Sequence, residues 1–128
     1  KRLREEALAV ERWNRLHPGQ GRRVPRVTEL LSASEGPIIA VTDFMRIVPD
    51  QVLRFVPEGR SWTSLGTDGF GASDNREALR RHFETDADHV TVAVLSALAE
   101  AGQVGADDVA AAIREAGIQV DSPVPWHG

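Results

Sequence analysis

Apolar residues recur along this chain at two spacings, and the switches between them mark its elements. In residues 3–9, Leu3, Ala7 and Leu8 fall near one helical face while Glu5 and Glu6 take the others, which predicts a helix. Beyond Val10 the pattern is open. Trp13 and Leu16 either continue the helical stripe, which the sequence by itself slightly favours, or residues 10–16 form a short strand before the turn at His17-Pro18-Gly19. Residues 18–23 hold two glycines and a proline and read as a loop. Pro25 can open a helix through Leu31, ended by the cluster at 32–36. The largely β-branched run at 37–42, bounded by Pro37 and Asp43, then predicts a buried parallel strand.

Residues 44–56 return to helical spacing at Phe44, Ile47, Val48, Val52, Phe55 and Val56, but Pro49 interrupts them. A short turn followed by a helix restarting at Pro49 is expected. Residues 61–65 predict a second strand, parallel and adjacent to the first, and a glycine-rich loop follows at 66–72. Ser73 or Asp74 can cap a helix running to Phe83, with Glu77 placed to complete a capping box with Asp74. Asp86 or Asp88 starts a helix whose stripe Val90, Val94, Leu95, Leu98 stops at Gly102, and another spans 107–116 before Gly117. Residues 119–128, with Pro123 and Pro125, read as an extended, partly disordered tail. Helices between strands imply an α/β fold, yet few strands can be found for a stable sheet.

Composition narrows the function classes. With 128 residues, 41% hydrophobic and 27% charged, the chain has the make-up of one soluble globular domain. It starts at Lys1 with Met45 as its one methionine, and is expected to be part of something longer. No apolar run suits a bilayer, so no membrane partner is expected, and the absence of cysteine removes thiolate catalysis and cysteine-ligated zinc. Net charge is −4, although residues 1–26 carry eight basic side chains. These are mixed with Glu5, Glu6 and Glu11 and accompanied by one aromatic, Trp13, so nucleic acid is not the expected partner. A solvated helix face or a surface that meets another domain accounts for them.

Candidate chemistry is sparse. The loop from Leu65 through Gly66, Thr67, Asp68, Gly69, Phe70, Gly71, Ala72 and Ser73 to Asp74 lies between a strand and a helix start, where α/β sheets place anion sites. Its spacing fits neither G-x-G-x-x-G nor the phosphate loop, and Asp68 would repel a phosphate. Glycines that permit a sharp turn, with Phe70 as an anchor, make it a packing or interface element. His82, Asp86 and His89 would share a face of an unbroken helix, but the acidic caps imply a break, so a solvent-exposed surface is expected rather than a metal site. Trp62-Thr63-Ser64-Leu65-Gly66 lacks the first glycine of a nucleophile elbow. No catalytic, cofactor-binding or metal-binding residue is assigned.

Four segments nonetheless carry a resemblance. Glu11-Arg12-Trp13-Asn14-Arg15-Leu16-His17-Pro18, Thr42-Asp43-Phe44-Met45, the 65–71 loop with Ser73-Asp74, and Arg80-Arg81-His82-Phe83-Glu84 resemble the C-terminal region of homodimeric bacterial pyruvate dehydrogenases, in order and spacing, over residues 1–118. Transketolases are similar only in the echo Phe70-Gly71-Ala72-Ser73.

The resemblance implies a three-layer α/β/α domain at 1–118 with a mixed, mostly parallel sheet, its first and central strand missing ahead of Lys1, and a tail at 119–128. It implies that residues 10–16 are extended. It implies a parent enzyme, cytoplasmic, that decarboxylates pyruvate on thiamine diphosphate with magnesium and reductively acetylates a lipoyl group. In that family the cofactor is held by preceding domains, through a G-D-G motif and an activating glutamate that this chain lacks, so this portion would be inactive alone. Its role would be structural, with the rest of the parent chain, a homodimer partner and the dihydrolipoyl acyltransferase core as partners. A stand-alone α/β interaction or regulatory module is the alternative.

Overall fold

The structure is a computed structural model that describes residues 1–69 and 75–127. It divides into two compact units, one of Lys1–Gly36 with Asp50–Arg60 and one of Pro37–Pro49 with Ser61–Gly128.

The first unit is built on α1 (Arg2–Leu16) and α2 (Arg26–Ser32). The stripe that begins α1 runs through to Leu16, so residues 10–16 are helical and not extended as the resemblance implies. The reason is local. Trp13 and His17, one turn apart, stack with centroids 4.3 Å apart, and His17 Nδ1 lies 2.7 Å from the Trp13 carbonyl, closing the helix end. Asn14 is held from the other side, its amide donating to the Arg23 carbonyl and its oxygen accepting from the Arg23 amide. Arg23 lies over the Trp13 ring at 3.7 Å. Ala7, Val27 and Phe55 are buried together, with Leu8, Leu31 and Val52 packed around them. Arg60 finishes α2, donating to the carbonyls of Leu31, Ser34 and Gly36, where a cation also suits the helix dipole.

In the second unit β1 (Ile38–Val41) and β2 (Trp62–Leu65) pair parallel, Ile38 opposite Trp62 and Val41 opposite Leu65, as expected. Among the described residues these two strands make the whole sheet. α5 (Ala87–Glu100) packs across both strands and against α6 (Ala106–Ala116). Asp86 caps α5, accepting from the His89 amide, and Gly117 closes α6 in the left-handed region at φ 66°. α4 (Arg76–His82) is capped by Asn75, which accepts from the Ala78 amide, so its cap is neither Ser73 nor Asp74.

Two other expectations shift. α3 is the single turn Ile47–Asp50, with Pro49 inside it rather than at its start, and a 3-10 turn follows at Leu53–Phe55. Proline fits there because the first helical turn has no intrahelical partner for its missing N–H. The tail is not wholly extended either, since Pro125–His127 form a 3-10 turn.

Candidate functional site

Parallel α/β sheets present their loops at the carboxyl ends of the strands, and here both such loops meet. Thr42 donates its amide to the Leu65 carbonyl, and two residues on, Thr67 donates to the Phe44 carbonyl through its amide and to the Asp43 carbonyl through its hydroxyl. Gly66 makes this approach possible. A Cβ there would lie 2.7 Å from the Phe44 oxygen and 2.9 Å from the Arg46 nitrogen.

Asp68 then locks the pair. One carboxylate oxygen accepts from the Arg46 amide at 2.7 Å and the other from Arg46 Nε at 3.1 Å. The backbone hydrogen bond from Arg46, opposed by partial burial and reinforced by the guanidinium, holds the Asp68 carboxyl below its ordinary value. Gly69, at φ 111°, follows. Of the loop residues singled out from the sequence, Thr67, Asp68 and Gly69 are therefore brought together against residues 43–46. Phe70, Gly71, Ser73 and Asp74 lie outside the described residues.

Beside this junction an open hollow of about 450 Å³ is lined by Asp43, Thr67, Arg76, Leu79, Arg80 and Phe83, with an Arg80–Asp43 ion pair at 3.7 Å. Apolar groups stand exposed on the same unit, Phe44 at 69%, Met45 at 55% and Ile47 at 62%. The chemistry of the junction is self-contained, since the Asp68 carboxylate and the Arg46 guanidinium face each other and the Thr67 hydroxyl is donated inward.

The His82, Asp86, His89 constellation resolves differently. Asp86 takes Arg81 at 3.0 Å and His89 Nδ1 at 2.5 Å, and Arg81 also reaches Asp88 and the Ala116 carbonyl. Partial burial works against the Asp86 charge, but hydrogen bonds from His89 and Arg81 prevail and keep its carboxyl below its ordinary value. Arg81 in turn is raised, chiefly by the Asp86 hydrogen bond. This cluster ties α4, α5 and the end of α6 together. Among the described residues no three His, Asp or Glu side chains gather in a metal-like group.

Two participants escape a reading of the sequence, Arg46 and Trp126. The Arg46 guanidinium lies 4.2 Å from the Trp126 ring centroid, a contact between distant segments that no local pattern encodes.

Comparison with known proteins follows the same lines. Residues 5–86 match the family described as a transketolase-like TK C-terminal domain. The chain is 46% identical over 123 residues, 96% of its length, to the pyruvate dehydrogenase E1 component of Pseudomonas aeruginosa. It is 44% identical over the same length to that of Escherichia coli, and 45% identical over 113 residues, 88% of the chain, to that of Mycolicibacterium smegmatis. It spans only 12 to 14% of the length of these relatives. No helix among the described residues is long and apolar enough to cross a membrane.

Proposed function

Because the chain belongs to the transketolase-like C-terminal domain family, we propose that it is the structural and assembly domain of a homodimeric pyruvate dehydrogenase. The observation that carries this reading is an identity of 44 to 46% to pyruvate dehydrogenase E1 components sustained over 96% of the chain. In this reading the parent enzyme, in the cytoplasm, decarboxylates pyruvate on thiamine diphosphate and magnesium and reductively acetylates a lipoyl group. The cofactor is held by other domains of that enzyme, and this portion contributes residues 1–118 as its domain and 119–128 as its tail. Its partners are the rest of the parent chain, the second subunit and the dihydrolipoyl acyltransferase core.

Within that role, residues 67–74 act as a packing and interface element rather than a ligand site. The mutual neutralisation of Asp68 and Arg46 and the exposed apolar group of Phe44, Met45 and Ile47 support this, because contiguous exposed apolar surface on a soluble domain is commonly covered by a partner. Phe70→Ala in the full-length enzyme is expected to weaken dimerisation, or to lower the unfolding temperature, with the Michaelis constant for pyruvate nearly unchanged. Sedimentation and steady-state kinetics on that variant decide it. A sharp rise in the Michaelis constant with an intact dimer would assign the loop to the active site. The gene offers a separate check, since a G-D-G motif encoded upstream in frame is expected and its absence would favour a stand-alone interaction module.

A further inference from the structure

The junction between the two strand-end loops has a third component. Pro125 is buried, and its carbonyl and the Trp126 Cα come so close to Gly69 that a Cβ on that glycine would lie 3.0 Å from each. Gly69 thus has two reasons to lack a side chain, its φ of 111° and the tail lying against it. On the other side of the same turn Trp126 presents its ring to Arg46, 4.2 Å from the guanidinium carbon. Arg46 is already engaged, its amide and Nε holding the two oxygens of Asp68. One side chain therefore joins three segments, the loop after β1 that carries it, the loop after β2 through Asp68, and the tail through Trp126.

We propose that the C-terminal tail is a strap, seated by Pro125 and Trp126 on Gly69 and Arg46, that holds the loop after β2 against the loop after β1. A planar guanidinium suits this double duty, because it can donate in its plane to a carboxylate while an aromatic ring covers its face. Trp126 is 43% exposed, so the contact is made at a surface and can open without disturbing the helices. The strap rests on the reading of this loop as a packing element, and it determines whether the loop is held ready for that role.

Amide hydrogen exchange in the full-length protein tests it through the two amides that bond across the junction, those of Arg46 and Thr67. In Trp126→Ala these two are expected to exchange about tenfold faster, the scale of losing one partly desolvated cation–π contact, while α5 and α6 keep their protection. Trp126→Phe retains an aromatic face and is expected to restore most of the protection. Deleting residues 123–128 gives a second route to the same loss. Unchanged exchange at the two amides in both Trp126→Ala and the deletion would overturn the proposal, as would equal acceleration throughout α5 and α6. Sedimentation of the same variants separates the two readings. Faster exchange with association intact keeps the strap and removes the interface role, whereas unchanged exchange removes the strap alone.

Discussion

Glu84 is the one non-glycine residue with positive φ among those described, at 62°. It sits where α4 ends in a Schellman arrangement, the Glu84 amide donating to the Arg81 carbonyl and the Thr85 amide to the Arg80 carbonyl. That position favours glycine, because an L-residue in the left-handed region brings its Cβ against the carbonyl at a cost of roughly 1–2 kcal/mol. Glu84→Gly is therefore expected to stabilise the protein by about 0.5–1 kcal/mol, after the greater freedom of glycine in the unfolded chain is subtracted. Gly117 holds the equivalent place after α6 with φ 66°, so Gly117→Glu should destabilise by a similar amount. Urea midpoints with unchanged slopes would measure both. Effects of the same sign in the two variants would contradict the account. The sequence announces the second site and hides the first, since a glycine after a helical stripe signals a left-handed cap and a glutamate does not.

At the scale of elements, Gly66→Ala tests whether the two strand-end loops depend on close backbone approach. Its φ is not positive, so the cost comes from a Cβ placed 2.7 Å from the Phe44 oxygen and 2.9 Å from the Arg46 nitrogen. Forced separation of that kind is expected to destabilise by about 2 kcal/mol. Gly21→Ala meets nothing within 4 Å and should be neutral or slightly stabilising. Thermal unfolding of both variants distinguishes steric cost from a general effect of losing glycine. Much of this layer was legible in the sequence. β1, β2, α5 and α6 follow from apolar runs and cap residues that act locally. The helical course of residues 10–16 was one of two open readings, settled by the stacking of Trp13 on His17 and the grip of Asn14 on Arg23. The Asn75 cap lay one residue past the expected ones, although asparagine caps as well as aspartate. Arg46, Arg60 and Trp126 were illegible because their contacts join segments far apart in sequence, and periodicity reports only neighbours along the chain.

At the scale of the whole molecule, the two lowered carboxylates among the described residues, Asp68 and Asp86, both belong to the second unit, so acid should act on it through them. A carboxyl whose folded value lies below its unfolded value binds more protons when unfolded. Its contribution to stability is fully present above the unfolded value near 4 and is lost as pH falls through the lowered folded value. Asp68→Asn with Asp86→Asn removes both charges while asparagine preserves the cap of α5. This double variant is expected to be less stable than the parent at pH 7 and to approach it as pH falls well below 4. Tryptophan fluorescence during urea unfolding can follow the second unit by itself once Trp13→Phe removes the reporter in the first, leaving Trp62 and Trp126. Trp126 borders Arg46 and so senses the Asp68 lock directly. If the gap between parent and double variant stayed constant from pH 7 down to about 2.5, the two carboxylates would not be the source of acid sensitivity. A gap that closes in that range, with Asp68→Asn alone closing the part sensed by Trp126, would place the lock between the strand-end loops among the interactions that acid dissolves first.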